Sequence, residues 1–511
     1  MDSPSPVTAA PPGDLQSAGA DSSTPLEVRR HSDIRLVPDS TRIVLRPFVP
    51  GESLLYDGSD RIDAVVKRLL ALTDDEVSSQ LAAVSREFAG RHRDDDFDRA
   101  VDDHFGHVAH REDLLDLSED RRRLIGLYFT HEYSVEAAAL GNPSIVAAPD
   151  QSDLAPGELR ALLSLRSVGE GHRSSISFRT IVVDRNSNVR LEPVSEFIST
   201  GRVSSATYDR AHFRAHLLER EMSSGFAERV LNQLDAHFDR TSLDAALRDA
   251  SSDTITNDDR AVARSLVWLA DSNYVVEHDP VEDISSRILF PQGPAETSGM
   301  EDARLVRFVD DDDSVRYFAT YTAFDGRAIL PQLIETKDFA RFRVSTLRGS
   351  HARNKGIALF PRKIDGQFVA LGRHDNVNNF LMRSTSVRNW DDFELIQEPS
   401  RPWELTQLGN CGSPIETDAG WLVMTHGVGA MRKYAIGALL LDIDDPANVI
   451  GHLRDPLIEP NEEERDGYVP NVVYSCGSLV YDGQLIIPYG FSDLGASVAT
   501  LPLDDVLSRL I

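Results

Sequence analysis

Gly299-Met300-Glu301-Asp302-Ala303-Arg304 lies between a Pro/Gly-rich turn at 291–299 and an apolar run at 305–309, where a loop hands the chain to a sheet. The next run, Tyr317-Phe318-Ala319-Thr320-Tyr321-Thr322-Ala323, mixes aromatic and β-branched residues and reads as a second strand. An acidic turn between strands makes this part of the chain β-structured and puts Glu301, Asp302 and Arg304 together at a strand entry. Such a group can hold a proton ready for transfer, because one carboxylate raises the pKa of its neighbour while the guanidinium opposes that rise. The plain alternative is a surface pair between Glu301 and Arg304, which would be common and weak.

Outward from this turn, β texture dominates the C-terminal half. Strand groups fall at 304–346, 357–395, 413–459 and 473–503, and a fifth meander at 162–193 turns through Asp184-Arg185-Asn186-Ser187-Asn188. Helical periodicity interrupts at 207–272, for instance at Leu217, Leu218 and Met222, then Val230, Leu231 and Leu234. Residues 1–30 are rich in Ser, Pro, Ala and Gly with hardly any large apolar side chain, so this arm is expected to be disordered. Residues 31–140 are expected to form a mostly helical region after an extended segment at 34–48. Its helices are expected at 61–72, from the acidic cap Thr73-Asp74-Asp75-Glu76 to 88, at 97–108 and at 118–140. The remainder, 141–511, is expected to be a β domain carrying the 207–272 insertion. Radial four-stranded blades are the economical way to pack five such groups without exposed edges.

Composition bounds the function. At 511 residues and 41% hydrophobic content the chain can bury a sizeable core, enough for about two to four domains. The net charge of −29 repels nucleic acid and acidic membranes, which argues against either as a partner. Only Cys411 and Cys476 occur, each in a Cys-Gly-Ser triplet, and they read as small core or turn residues. With no apolar N-terminal leader pattern and no membrane-spanning run, the expected location is cytoplasmic. No CxxC or HExxH spacing points to a metal site.

The ordered blocks resemble glycoside hydrolase family 130, the β-mannoside phosphorylases and β-mannosidases. The resemblance rests on 299–304 and 317–323, on Ala358-Leu359-Phe360-Pro361-Arg362-Lys363-Ile364, and on Gly420-Trp421-Leu422 with His426-Gly427-Val428. It continues through Gly437-Ala438-Leu439-Leu440-Leu441-Asp442, Asn471-Val472-Val473-Tyr474 and Tyr489-Gly490-Phe491-Ser492-Asp493, and covers roughly 140–511. It implies a five-bladed β-propeller, here with an N-terminal helical region and a helical insertion. Asp302 matches the family's catalytic acid, with Ala303 where proline is usual, and in the family the proton is thought to travel through a hydroxyl of the bound mannose. Glu301 and Arg304 would orient it.

The same resemblance places the phosphate cradle at Arg373, Arg383 and His426, with Tyr434 a further contact. Arginine suits that role because its planar fork bonds two phosphate oxygens at once. Gln407 stands where the family's phosphorylases usually carry lysine, which removes a charge. The family's hydrolases would require a glutamate at position 373 or 383, and this chain has arginine at both. Asn142, Ser144, Arg166 and Asp493 match sugar-binding positions, and Lys355 and Lys363 are weaker candidates for which solvated loop lysines are the alternative. His172, His351 and His374 carry no assignment.

The resemblance therefore implies inverting phosphorolysis of β-linked mannosides to α-mannose 1-phosphate, with inorganic phosphate as co-substrate and no other cofactor. A β-mannosidase or mannosyl transferase on the same scaffold is the second reading, and a non-catalytic glycan-binding propeller the third. Asp302, Arg373, Arg383, His426 and Asp493 are expected to converge at the centre of one propeller face. The two helical segments are expected to pack together or against a second subunit and to rim the acceptor side, without supplying a proton-transfer group.

Overall fold

A computed structural model describes residues 26–50, 60–88, 90–110, 114, 116–252 and 255–510. The expected disordered arm lies outside these residues up to position 25, but Arg29–Arg30 is a short strand paired with Gly495–Pro502, so its last part is ordered. The fold is mainly β, and its strands form antiparallel meanders.

The first meander contains Ala139–Ala147, Glu158–Val168, Ser174–Asp184 and Val189–Leu191. The second runs Gly299–Val309, Val315–Phe324, Ile329–Thr336 and Arg341–Thr346, extended at its outer edge by Tyr274–Glu277 and Arg202–Ser205. These two are joined by a single parallel bridge, Gly299 to Ser174. The third meander holds Ala358–Leu359, Phe368–Gly372, Asn379–Ser384 and Asp392–Gln397. The fourth is centred on Gly420–Val428 and Tyr434–Leu441, and the fifth on Gln484–Phe491 and Gly495–Pro502.

Period-2 alternation gives each meander two faces, and the buried faces pack in sequence. Phe178 and Met300 join the first to the second, Phe308 and Trp390 the second to the third, and Phe360 and Trp421 the third to the fourth. Leu440 and Ile487 join the fourth to the fifth, while Leu163 and Val498 bring the fifth back onto the first.

The N-terminal helices Arg61–Leu70, Asp74–Phe88, Asp94–Gly106 and Glu119–Tyr128 enclose Ile62, Leu124 and Phe129. Asp60 caps the first of them by accepting from the backbone N–H groups of Ile62 and Asp63. The expected helix at 118–140 stops at Tyr128, and Thr130–Glu136 is instead a strand paired with Asp39–Pro47. The cause is the Tyr133, Val135 alternation, which buries one face of a strand, whereas a helix would have scattered those side chains. The expected domain boundary at 140/141 likewise falls inside strand Ala139–Ala147, where Gly141 to Ser144 is a bulge and not the end of a helix.

The insertion forms Arg210–Glu219, Gly225–Asn232, Arg240–Ala250 and Asn257–Asp271, and its apolar faces close on one another and on Val275. Through Val275 and the bond between His212 and Thr346 it docks on the outer edge of the second meander.

Candidate active site

A cavity of about 480 Å³ is lined by strand ends and turns from all five meanders, including Asn142, Arg166, Asp302, Lys355, Arg373, Gln407, His426, Arg432, Tyr434, Tyr474 and Asp493. Among the described residues, neither helical segment contributes a lining residue to this cavity.

Several of the polar side chains are presented by unusual backbone. Asp302 sits in the bulge between Glu301 and Arg304 with φ 55°, and Asn142 in the equivalent bulge of the first meander with φ 48°. Asp493 follows strand Gln484–Phe491 with φ 48°. Asn and Asp tolerate the left-handed region better than other side chains, and such conformations gather where a fold re-aims a side chain toward a ligand.

Asp302 is buried, and the Asn142 amide donates to its Oδ1. Burial works to raise its pKa, but Lys355, Arg304 and Arg166, together with the Asn142 hydrogen bond, outweigh it and hold the carboxyl below its usual range. The sequence left the contest between acid neighbour and cation open; here the cations win. Glu301 lies behind Asp302 and accepts from Arg166 and from Lys355 Nζ, both at 2.6 Å, so it ties down two of the cations that face the cavity. Arg304 is fully buried: it donates to the Asp302 carbonyl at 3.0 Å and to Tyr474 Oη at 2.7 Å. Its role is to brace the bulge.

Arg373, which also lines the cavity, donates to the Asn376 carbonyl at 2.8 Å and lies 3.3 Å from His426 Nε2, while its buried Nε has no acceptor. His426 Nδ1 is 3.2 Å from the Asn410 carbonyl, which can only accept, so Nδ1 carries the proton and Nε2 is the bare acceptor turned to Arg373. Burial, then Arg373 and Arg304, push its pKa far down, so the imidazole is neutral. Gly356 and Gly409 leave the room that the Arg373 stem fills: a Cβ on Gly409 would stand 2.7 Å from Arg373 Cδ and 2.5 Å from His426 Cε1. Gln407 Nε2 donates to Tyr434 Oη at 3.3 Å.

Asp493 carries no hydrogen bond or ion pair among the described residues. Burial raises its pKa, with Asp302 and Glu301 adding to the rise and Arg166 and Arg432 opposing it. Two carboxylates thus share the cavity with pKa values pushed in opposite directions.

Three expected residues fall elsewhere. Arg383 lies toward the periphery of strand Asn379–Ser384 and pairs with Asp445 at 3.2 Å, because Phe380, not Arg383, is paired with Gly372 beside the cavity. At ~3.3 Å per residue, three positions carry it about 10 Å outward. Ser144 is buried and accepts the Leu305 backbone N–H at 3.0 Å, so its hydroxyl is spent on joining two meanders. Lys363 is tied to Asp310 and Asp311. The sequence reading missed Asn376, Arg432 and Tyr474 as lining residues, although Tyr474 belongs to a block it quoted. Both cysteines are buried and free, and burial pushes the Cys411 thiol up to about 12, which removes it as a nucleophile.

Residues 265–510 match the model of glycoside hydrolase family 130, described as beta-1,4-mannooligosaccharide phosphorylase. The 1,2-beta-oligomannan phosphorylase of Thermoanaerobacter sp. (strain X514) is 32% identical over 249 residues, 47% of this chain and 81% of that protein. The beta-1,2-mannobiose phosphorylase of Listeria innocua is 28% identical over 231 residues, 43% of this chain and 63% of that protein. A solved structure of a Listeria innocua beta-1,2-mannobiose phosphorylase with beta-1,2-mannobiose aligns over 74% of this chain and 93% of its own, with 20% identity and a TM-score of 0.44. The matched region contains Asp302, Arg373, His426 and Asp493, and the chain belongs to glycoside hydrolase family 130.

Proposed function

We propose that the protein is a cytoplasmic, inverting β-mannoside phosphorylase built on a five-bladed propeller, converting a β-linked mannoside and phosphate to α-mannose 1-phosphate and a free acceptor, and running the reverse synthesis. The observation that carries the reading is one cavity lined by both a buried carboxylate, Asp302, and an arginine, Arg373, that pairs with no carboxylate among the described residues. The propeller reading is supported by the order in which the buried faces of the meanders pack, the fifth returning to the first.

In the proposed reaction a phosphate oxygen bonds to the anomeric carbon as the glycosidic bond breaks on the opposite face, which inverts the configuration. The leaving oxygen takes a proton supplied by Asp302, through a sugar hydroxyl where the geometry requires it. Monohydrogen phosphate loses its own proton on becoming the sugar phosphate, so protons balance and Asp302 is reset. The low pKa of Asp302 fits this order of events: a phosphate anion nearby is a like charge, and it raises the carboxyl toward the protonated form the reaction needs. Arg373 is the phosphate ligand, His426 holds it in place as an acceptor, and Tyr434 and Gln407 offer neutral hydrogen bonds. Asn142, Arg166, Lys355 and Asp493 face the mannosyl unit, where the Asp493 carboxylate can accept from sugar hydroxyls.

Incubation with β-1,2- and β-1,4-mannobiose, with and without phosphate, tests this: α-mannose 1-phosphate is expected to form only with phosphate. Asp493 also gives a second reading a foothold, since an inverting hydrolase needs a second carboxylate for its water. Free mannose released at a rate indifferent to phosphate would establish that reading and defeat the first.

Gly409→Ala probes the cradle without touching a charge. Its methyl cannot share space with Arg373 Cδ and His426 Cε1, so the arginine must move. The Michaelis constant for phosphate should rise about tenfold or more, while overpacking lowers stability by only ~1–3 kcal/mol. Phosphate kinetics at wild-type values in a folded Gly409→Ala protein would remove Arg373 from the phosphate site.

A further inference from the structure

We propose that Arg432, in the turn between strands Gly420–Val428 and Tyr434–Leu441, is a second phosphate-binding cation and supplies at the cavity mouth the charge that Gln407 does not. The proposal rests on the phosphorolysis reading and adds a residue to its site.

The cations of the cavity differ in how far they are already engaged. Arg166 and Lys355 share Glu301, and Arg373 is engaged by a carbonyl and an imidazole. Arg432 has neither a hydrogen bond nor an ion pair among the described residues, although its chain neighbour Lys433 pairs with Glu459 at 2.7 Å. The acid it acts on is Asp493, whose pKa it lowers against the effect of burial, while Asp302 is held by Lys355, Arg304 and Arg166. A multiply charged anion between Arg373 and Arg432 would satisfy both guanidinium groups.

Gln407 is paired with Val428, and Val428 with Tyr434, so the Gln407–Tyr434 hydrogen bond spans the base of the turn that carries Arg432. The residue is therefore held on the phosphate wall, and its exposed side chain is free to fold inward.

Met431 and Arg432 are consecutive non-glycine residues in the left-handed region, φ 57° and 55°. Such residues store backbone strain, and they gather at positions that function commonly explains. The first meander builds the same turn: Gly169 N–H donates to the Arg173 carbonyl at 3.0 Å as Gly429 N–H donates to that of Lys433 at 3.0 Å. There the first left-handed position is Gly171, and the residue matching Arg432 is His172, which stacks on Tyr468 beside the cavity residue Val469. Of the two matching residues, Arg432 lines the cavity and carries a permanent charge.

The test uses purified full-length protein and inorganic phosphate as the probe, measured by calorimetry and by initial rates with β-mannobiose. Arg432→Gln is expected to weaken phosphate binding and raise its Michaelis constant about tenfold, the discounted effect of one exposed charge-assisted contact, with the mannoside constant little changed. Lys433→Gln, one residue away and paired outward, is expected to change neither. Adding Gln407→Lys to Arg432→Gln is expected to recover most of the lost affinity by returning a cation to the same wall. The proposal is overturned if Arg432→Gln binds phosphate as the wild type does, if Lys433→Gln weakens it equally, if the lysine recovers nothing, or if the wild type binds no phosphate. Phosphate binding with phosphate-independent mannoside cleavage would defeat the phosphorolysis reading alone, and the calorimetric comparison would still decide Arg432.

Discussion

Asp302→Asn is expected to lower turnover by ~10²–10⁴-fold, about 3–5 kcal/mol of barrier, while folding and mannoside binding are nearly retained. The amide has the shape of the acid and tolerates the same left-handed backbone, φ 55°, so the bulge that Arg304 braces survives. Its oxygen still accepts from Asn142, but it can neither deliver a proton nor balance Lys355, Arg304 and Arg166. A stability signature accompanies the kinetic one. The folded-state pKa of Asp302 is depressed, so its charge stabilises the fold above the unfolded value, ~3.9, and that contribution is lost as pH falls through the folded value. Asp302→Asn should therefore lose the part of the acid destabilisation that begins below pH ~4. Steady-state rates over a phosphate series and denaturant midpoints from pH 2 to 7 measure both, and full turnover by the asparagine variant would end the assignment of Asp302 as the acid.

What was legible in the chain follows from which interactions are local. Asp302, Glu301 and Arg304 lie within one short stretch, so a strand-entry motif shows them together before any tertiary contact is known. Position 383 shows the limit: the residue type suits phosphate, but depth along strand Asn379–Ser384 depends on pairing with Phe368–Gly372, which periodicity does not reveal. Ser144 fails for a related reason, since its hydroxyl is taken by a backbone donor on another meander, at Leu305. Arg432 was missed because it lies in a turn with neither period. The signal that could have found it is the repeat of Val168-Gly169 and Val428-Gly429, each followed four positions after the glycine by a base, Arg173 or Lys433. At 118–140 continued helix was expected, whereas burial of Tyr133 and Val135 decided for a strand over Thr130–Glu136.

That strand carries the other large expected effect. Glu136 has no exposed surface and accepts from Arg42 Nε at 3.0 Å and from an Arg179 terminal nitrogen at 2.7 Å, both guanidinium groups also being buried. Arg42 in turn donates to the Ser195 and Ser285 carbonyls, so one carboxylate links the N-terminal strands, the first meander and the approach to the second. Burial depresses the Arg42 pKa, and Glu136 works against that fall. Replacing the acid by alanine leaves two buried guanidinium groups around a cavity with only the exposed Asp39 as a nearby counter-charge, and removal of one partner from such a group costs ~3–5 kcal/mol. That is a large part of the ~5–15 kcal/mol by which folded domains exceed their unfolded states. Glu132, half-buried on the same strand and paired with the exposed Arg91 and with His92, supplies the comparison, with Glu132→Ala expected to cost about 1 kcal/mol. Urea midpoints of the two variants should separate accordingly, and Glu136→Gln should fall between them because the amide oxygen can still accept one of the two bonds. Equal midpoints for Glu136→Ala and Glu132→Ala would mean that water or a shifted carboxylate reaches the arginines, and that the N-terminal strands are not fastened to the β domain through this group.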